Sequence, residues 1–538
     1  MTAPDLSQLT HEQLRALASQ LLARVTEQDQ TIHAQGQMIQ AKDQAIQVKD
    51  QTIQKQDQSI KYKEQVNQKL TYELALLKRH KFGQRSEHLS TLQISLLGDI
   101  VDEDIAGIET ELDDALEPET KPSKKRQAKR KPLPPELPRK EIHHDPDSTQ
   151  CRCGCQMKRI GEDVSEKLDY VPGVCSVERH IRSKWVCGEC ETLTQAPMPA
   201  HIIDKGIPTT GLLAHLLISK YADHLPLYRQ EQIFARSGVQ LSRSTLAEWI
   251  GVCGVRLQPL VDVMREQLLK ESVLHADETP VPMLAPGKKK THKAYIWAYA
   301  SAPFSELNAV VYDFQPGRSG QHARDFLGDW KGQLVSDDYA GYKKSFDEGV
   351  IEVGCMAHAR RKFVELHVAG RSQIAGEAVK LIRQLYRVEQ DVRELPADER
   401  QRIRQTQAKP IADKLHQWML TERQQVPDGT AIANALDYSI KRWAALTRYL
   451  DDGAIPIDNN RVENLIRPWA LGRKNWLFAG SLRSGQRAAA IMSLIQSAKL
   501  NGHEPYVYLK DVLTRLPTQM ASAIEELLPQ NWMPSDKV

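Results

Sequence analysis

The sequence predicts a multidomain α/β protein, with a helical N-terminal region, a small cysteine-rich module and a larger core of strands and helices. Three observations predict it: a seven-residue repeat near the N-terminus, a cysteine cluster before residue 191, and apolar strand-like runs that alternate with helical patterns after residue 272. At roughly 100–200 residues per domain, the 538 residues suffice for about three or four domains.

The first region, residues 1–82, carries an isoleucine at every seventh position. The repeated residues are Ile32, Ile39, Ile46, Ile53 and Ile60. A sustained heptad predicts a left-handed coiled coil and therefore a homo-oligomer. The second core position of the heptads is polar, at Gln35, Lys42, Lys49 and Gln56. A long solvated helix with a duplicated repeat is therefore the alternative.

Residues 83–140 form an acidic and then a basic segment, which the formal net charge of +3 conceals. Acidic side chains are concentrated at 99–119 and basic ones at 121–131, and prolines at 132–138 exclude a helix or sheet interior. We interpret this segment as a linker. Its Lys124, Lys125 and Arg126 are expected to lie against a DNA backbone.

The chain carries no pattern of a membrane or secreted protein. No apolar run approaches the ~18–20 residues that span a bilayer, and the N-terminus lacks a signal-peptide pattern. We therefore expect a cytoplasmic, nucleoid-associated protein with no membrane partner. Six of the eight cysteines lie between Cys151 and Cys190, and in a reducing compartment such clustering indicates metal binding rather than disulfides.

Residues 141–197 are predicted to form a zinc ribbon. Two groups of cysteines flank a strand-like sequence: Cys151, Cys153 and Cys155, then Cys187 and Cys190. Four of these thiolates fit one tetrahedral structural Zn²⁺, with Cys153 and either Cys151 or Cys155 completing the set. Removal of the zinc should then unfold the module. Buried thiols without metal are the alternative, and Cys175, Cys253 and Cys355 are expected to be core residues.

Residues 198–267 contain the pattern of a helix-turn-helix. A first helix over 226–236, a turn at Gly238 and a second short helix capped by Ser242 predict this motif. Arg243 and Ser244 would then face a DNA groove. Many enzymes contain such helix pairs without binding DNA, but the neighbouring zinc ribbon and basic linker favour DNA binding.

Residues 268–500 show the order of elements of a ribonuclease-H-like fold, the retroviral integrase superfamily. Three strands, a helix, a strand, a helix and a strand are predicted between Ser272 and Met356. The first strand ends at Asp277 and the fourth at Asp337-Asp338, so these acids should lie side by side. A third acid, Glu463, follows on a much later helix that Asn459 or Asn460 can cap.

Three convergent carboxylates are suited to phosphodiester chemistry. Two Mg²⁺ or Mn²⁺ ions about 4 Å apart can activate a nucleophile and stabilise the leaving oxygen of an in-line displacement. Such hard ions prefer oxygen ligands. Single acids at strand ends and helix starts are common for capping and solubility, but three in this order favour a metal site.

Several segments give the chain a close resemblance to the large transposase of the insertion-sequence sixty-six family. The resemblance covers nearly everything beyond Leu77, and its most specific motifs are Asp458-Asn-Asn460 and Leu471-Gly-Arg-Lys-Asn-Trp-Leu-Phe478. Other matching segments are Phe82-Gly83, Ile160–Glu166, Pro226–Arg229, Cys355–Arg360 and Asn501-Gly502.

The resemblance implies an Asp-Asp-Glu transposase with catalytic and metal-binding Asp277, Asp337 and Glu463. It favours Asp337 over Asp338, because Asp338 stands where the family has glycine and could compete for metal. Gln150 replaces the first zinc cysteine of the family, so Cys151 or Cys155 must substitute. A helical insertion is expected at about 370–447, and residues 501–538 form a C-terminal region.

Basic residues after Glu463 are expected to hold DNA near the metals. They are Arg467, Arg473, Lys474 and Arg483. Arg467 lies one turn beyond Glu463, where Pro468 is expected to end or kink the helix. An ordinary solvated basic surface is the alternative. His358, near Arg360 and Arg361, faces the site or is a satisfied structural histidine.

The predicted function is that of a DNA transposase, which binds terminal inverted repeats, cleaves 3′ ends and joins them to target DNA. The resemblance also implies companion proteins from the same element. A non-catalytic DNA-binding protein and a repair nuclease of the same fold are the alternatives. Intact Asp277, Asp337 and Glu463 argue against the first, and the family resemblance argues against the second.

Overall fold

The computed structural model describes residues 137–534 except 147, 151–154, 172, 204–205, 286–289 and 371, plus 133, 135 and isolated positions between 15 and 71. The chain divides into two compact units, one of Met1–Ala75 with Ala115–Glu117 and one of the remaining residues. The described positions of the first unit are helical. Among the repeat isoleucines only Ile53 is described, and the basic segment at 121–131 lies outside the described residues.

The cysteine-rich region folds as a long two-stranded hairpin with short strands at its edge. The strands are β1 (Arg139–His144), β2 (Met157–Val171), β3 (Val174–Cys187) and β4 (Leu193–Gln195). β2 and β3 pair antiparallel along their whole length, while β1 runs parallel and β4 antiparallel to β3. Gly173 forms the turn between β2 and β3 with a φ of 85°, a left-handed conformation that favours glycine.

Three helices follow the hairpin: α1 (Thr210–Leu217), α2 (Leu227–Arg236) and α3 (Arg243–Leu268). Gly238 turns the chain between α2 and α3 with a φ of 81°. The Ser242 side chain accepts a hydrogen bond from the Thr245 amide and caps α3, as the sequence predicts. The prediction of a short second helix is wrong, because α3 has 26 residues.

The length of α3 follows from its apolar spacing. Buried residues continue at intervals of three and four: Leu246, Ile250, Cys253, Leu257, Leu260 and Met264. This stripe has the period of a helix and buries one face over its whole length, so the helix extends far beyond the predicted motif.

A mixed five-stranded sheet forms the centre of the second unit. Its strands are β5 (Val273–Met283), β6 (His292–Ser301), β7 (Val310–Gln315), β8 (Gln333–Ser336) and β9 (Ile351–Gly354). The order across the sheet is β7-β6-β5-β8-β9. β5, β6 and β7 form an antiparallel meander, and β8 and β9 run parallel to β5. Between the last three strands lie α4 (Gly320–Leu327) and α5 (Lys343–Asp347).

The first strand does not end at Asp277 as predicted. β6 pairs with β5 from Leu274↔Ser301 to Met283↔His292, and this long partner keeps β5 extended to Met283. The parallel pairing with β8 stops at His275↔Val335. Asp277 therefore lies inside β5 but just beyond the end of its pairing with β8.

The two faces of the sheet belong to different cores. Leu274, Ala276 and Leu334 pack with α3 and with α13 (Leu482–Leu500), while Val273 and Val335 pack with the helices that follow β9. Successive side chains of a strand point to opposite faces, so the alternation of β5 contributes to both cores. The five apolar strands of the sheet are thus covered by helices.

A run of helices follows β9. They are α6 (Met356–Gly370), α7 (Gln373–Val392), α8 (Ala397–Ile403), α9 (Lys409–Gln425), α10 (Ala431–Lys441), α11 (Trp443–Thr447), α12 (Asn460–Trp476), α13 and α14 (Pro505–Arg515). Pro468 lies inside α12, so of the two effects expected of this proline, an end or a kink, the end of the helix is excluded. In the described part of the chain, none of these helices is long and apolar enough to cross a bilayer.

Candidate active site

Asp277 and Asp337 occupy equivalent positions on two neighbouring parallel strands. His275 on β5 is paired with Val335 on β8, and each acid follows its paired residue by two positions. Because side chains two residues apart share a face and neighbouring strands lie about 4.8 Å apart, the two carboxylates project from the same face at the same edge. The register thus brings together the first two predicted acids.

The third predicted acid, Glu463, stands in the first turn of α12. The buried Asn459 ties the start of this helix to β5: its Nδ2 donates to the Ala276 carbonyl at 2.9 Å, and its Oδ1 lies 2.7 Å from His275 Nδ1. Ala276 directly precedes Asp277, so this bridge fixes the Glu463 helix beside the first acid. The sequence suggested Asn459 as a helix cap, but its side chain makes no capping hydrogen bond.

The pKa of Asp277 is raised, as expected for a buried acid with other acids close by. Burial, together with the charges of Glu278, Asp337 and Glu463, raises its pKa to about 8. Glu278 points to the other face of β5, where Arg318 and Tyr342 hydrogen-bond its fully buried carboxylate. The negative charge of Glu278 is therefore partly balanced. The charges of Asp337 and Glu463 near Asp277 would favour a bound cation.

Glu463 contacts two residues of α6. Arg361 donates to its Oε2 at 3.1 Å, and His358 Nδ1 lies 3.5 Å from its Oε1. Among the described residues, Cys355, His358 and Glu463 form a group whose potential ligand atoms lie within 4.8 Å of one another. His358 thus faces the site, and Cys355, predicted as a core residue, is indeed buried but lies beside Glu463.

Asp338 is held away from the acid cluster. Its carboxylate forms an ion pair with Arg442 at 2.6 Å, and Arg442 also donates to Glu352 at 2.6 Å. Asp337 forms no ion pair with a residue that the structure describes; its Oδ1 accepts the Tyr339 amide at 2.9 Å. The choice of Asp337 over Asp338 stays a prediction, and nothing in the sequence pointed to Arg442.

The carboxylates fit a divalent metal by their chemistry. Asp277, Asp337 and Glu463 supply only oxygen ligands, and burial together with neighbouring negative charges raises the pKa of Asp277. A bound cation would reverse this effect. The residues present are therefore compatible with the predicted metal site.

The described zinc candidates lie together at one end of the β2–β3 hairpin. Met157 at the start of β2 is paired with Cys187 at the end of β3, and Cys155 packs against this pair. Cys190 follows Cys187 in a tight turn, in which the Glu191 amide donates to the Cys187 carbonyl at 3.0 Å. Cys151 and Cys153 lie outside the described residues. Cys155 of the first group thus lies near Cys187 of the second group.

The predicted DNA-reading residues at the start of α3 are accessible, but they already contact other residues of the protein. Arg243 forms an ion pair with Glu231 of α2 at 2.9 Å, and the exposed Ser244 shares a hydrogen bond with Ser242 at 2.9 Å. The ion pair joins the two helices of the motif. The other N–H groups of the Arg243 guanidinium can contact DNA while this ion pair is kept.

The basic residues beyond Glu463 have different environments. Arg467 is exposed, Arg483 is half-buried at the start of α13, and Arg473 donates to the Pro280 carbonyl of β5 at 2.7 Å. The Lys474 side chain and all of Lys124, Lys125 and Arg126 lie outside the description. Arg473 thus helps to hold α12 against the sheet.

Comparisons with known proteins cover most of the chain. Family models match residues 205–487 (Transposase IS66 family), 493–530 (IS66 C-terminal element), 148–191 (zinc-finger binding domain of transposase IS66) and 69–142 (Transposase C of IS166 homeodomain). The zinc-finger match spans both cysteine groups, which supports a bound zinc.

Two proteins of Sinorhizobium fredii (strain NBRC 101917 / NGR234) are similar over most of their length. The uncharacterized protein y4jD is 38% identical over 486 residues, which are 86% of this chain and 94% of the relative. The uncharacterized protein y4qI is 38% identical over 482 residues, 86% of this chain and 89% of the relative. The resemblance read from the sequence is thereby confirmed: the chain belongs to the IS66 family of transposases.

Proposed function

We propose that the protein binds the terminal inverted repeats of its own element, cleaves the DNA strands there and joins the ends to target DNA. The observations that support this proposal are the matching register of Asp277 and Asp337 and the tie between the Glu463 helix and β5. A meander followed by two parallel strands, in the order β7-β6-β5-β8-β9, supports a ribonuclease-H-like core.

The proposed chemistry needs metal ions that the three acids would hold. Two Mg²⁺ or Mn²⁺ ions would activate the attacking oxygen and stabilise the leaving oxygen of an in-line displacement at phosphorus. Asp277 and Asp337 would contribute ligands from fixed strands, and Glu463 from a helix that Asn459 locks to β5. His358 and Arg361 orient the Glu463 carboxylate before metal binds.

The surrounding modules suit the recognition of DNA. One structural Zn²⁺ bound by cysteines of both groups would stabilise the hairpin, and Arg243 and Ser244 at the start of α3 would contact a groove. Lys124, Lys125, Arg126, Arg467, Lys474 and Arg483 would bind phosphates, which position the DNA without reading its sequence. A homo-oligomer and companion proteins of the same element stay predictions, as does the cytoplasmic location.

The test is cleavage and joining by purified protein. A labelled duplex with the inverted repeat that flanks the gene is incubated with Mg²⁺, and nicked and joined products are separated on a denaturing gel. Asp277→Asn and Glu463→Gln should each lower the cleavage rate at least about 100-fold, because even outer partners of metal ligands contribute 10–100-fold. Asp338→Asn is the control and should retain most of the rate.

The other outcomes separate the alternatives. End binding without cleavage in any metal would indicate a non-catalytic DNA-binding protein, and cleavage without joining would indicate a nuclease. Undiminished cleavage by Asp277→Asn would contradict the assignment of the site.

A further inference from the structure

A basic pocket lies beside the start of the Glu463 helix. It is open, has a volume of about 450 Å³, and is formed by α6, α7 and the first residue of α12. Three guanidinium groups line it, those of Arg360 and Arg361 on α6 and of Arg383 on α7. Because Arg361 also donates to Glu463, the pocket adjoins the candidate active site.

Two of these arginines are not neutralised within the protein. Arg360 and Arg383 are exposed, and neither has a hydrogen bond or ion pair with another residue that the structure describes. The Asp458 carboxylate, which contacts two lining residues, accepts hydrogen bonds from Tyr386 and Asn460 at 2.8 Å each and pairs with neither arginine. The pocket thus presents positive charge with no acidic side chain in its lining.

We propose that this pocket binds a phosphodiester group of the DNA strand that lies at the candidate active site. The inference rests on the proposed function and deepens it. Guanidinium groups are planar forks that match the oxygens of phosphate, and two forks from different helices can hold one group from two sides. The open, polar shape suits a continuous backbone that enters and leaves, rather than a small enclosed ligand.

The location also gives the contact a catalytic use. A strand held by Arg360 and Arg383 would lie within reach of Arg361, which would then bridge the strand and Glu463. Such a contact fixes the position of the backbone relative to the acids without dependence on base sequence. When Arg360 and Arg383 are replaced, the affinity for DNA should therefore fall and its dependence on salt should weaken at the same time.

The test compares the salt dependence of DNA binding in charge-matched variants. Binding of a duplex that carries the element's inverted repeat is measured by fluorescence anisotropy at several salt concentrations, without divalent metal. In Arg360→Gln/Arg383→Gln, the slope of log affinity against log salt should become shallower by about 1 to 2, at about 0.9 per phosphate charge neutralised. Arg360→Lys/Arg383→Lys should restore most of the slope, because lysine keeps the charge.

The control is Arg387→Gln/Arg393→Gln, which removes two exposed arginines from α7 and its C-terminal end outside the pocket. An equal change of slope in this control and in the pocket variant would overturn the inference.

An unrelated duplex, tested in parallel, identifies the source of the phosphate. A shallower salt slope for that duplex alone assigns the phosphate to target DNA, and a shallower slope for the inverted repeat assigns it to the element end. Normal cleavage by the parent protein with an unchanged slope in the pocket variant would reject this pocket alone. Failure of the parent to bind or cleave would reject the proposed function together with it.

Discussion

At the scale of single residues, Asn459 links the three parts of the candidate site. Its side chain bridges His275 and Ala276 on β5. Its backbone N–H donates to Cys355 Sγ at 3.2 Å, directly after β9. Burial lowers the pKa of His275 to about 4, so the ring is neutral and Nδ1–H can donate to Asn459. One amide side chain thus fixes the first acid and the helix of the third acid relative to each other.

The loss of this bridge should be costly. In Asn459→Ala, the His275 ring and the Ala276 carbonyl lose their partners inside the protein. At about 1–3 kcal/mol for each unsatisfied buried group, the free energy of unfolding should fall by roughly 3 kcal/mol. Chemical denaturation measures this change. The exposed Asn464→Ala on the same helix is the control and should be near neutral, and equal losses in both variants would contradict a specific role of Asn459.

Some features of the candidate site could be predicted from the sequence, and others could not. The order of elements predicts acids after the first and fourth strands and on a later helix, but it leaves Asp337 and Asp338 as alternatives. The family resemblance then singles out Asp277, Asp337 and Glu463, whose roles stay predictions. The contacts that organise the site could not be predicted: Arg442 pairs with Asp338, and Asn459 ties α12 to β5. Long-range side-chain contacts of this kind leave no periodic signal in one sequence.

At the scale of elements, the β2–β3 hairpin has two ends with unequal apolar support. Near its turn, Leu168, Tyr170, Cys175 and Val177 belong to the large core that includes α1 and α3. Of the residues described at the cysteine end, only Met157 and Cys187 are buried together, with Cys155 and Trp185 packed against them. So small a cluster cannot hold a fold without a covalent or metal link.

Zinc removal should therefore loosen only the cysteine end. After chelation, hydrogen exchange measured by mass spectrometry should accelerate in peptides around Met157 and Cys187, while peptides around Leu168 and Val177 keep their protection. This expectation is narrower than the unfolding of the whole module that the cysteine pattern alone predicts. Uniform acceleration along both strands would contradict it.

Substitutions should also identify the thiolate that the sequence left open. Zinc per chain should fall in Cys155→Ser and Cys187→Ser but persist in Cys151→Ser, since Cys155 already packs against the Met157–Cys187 pair. Cys175→Ala is the control on the same strand, because Cys175 is buried in the other core. Retention of zinc in Cys155→Ser with its loss in Cys151→Ser would reverse the assignment.

At the scale of the whole molecule, the order of elements could be predicted better than their lengths. The strands, α4 and the turn at Gly238 follow from local apolar patterns and turn residues. The extension of β5 to Met283 and the passage of α12 through Pro468 depend on partners elsewhere: β6 pairs with all of β5, and Arg473 anchors the end of α12 to Pro280. Tertiary contacts override local stop signals in both cases.

We expect the oligomeric state to depend on the N-terminal heptads. Ile53, the described member of the stripe, is helical and 55% exposed in a single chain, so a partner helix would be needed to bury it. The polar second positions weaken each heptad, and the isoleucine stripe must then supply most of the association energy. If this is correct, replacing stripe residues should dissociate the oligomer, whereas outward residues should tolerate the same change.

Light scattering coupled to size exclusion tests this directly. Ile39→Asn/Ile46→Asn/Ile53→Asn should reduce the mass of the full-length protein to that of one chain, because buried isoleucines contribute about 1.5–3 kcal/mol each. The control, Gln37→Asn/Gln44→Asn/Gln51→Asn, changes positions two residues before each isoleucine, which face away from the stripe, and should keep the parent mass. A parent protein that is already monomeric would favour the solvated single helix. If the protein brings two element ends together, the contacts between chains would then have to lie outside this repeat.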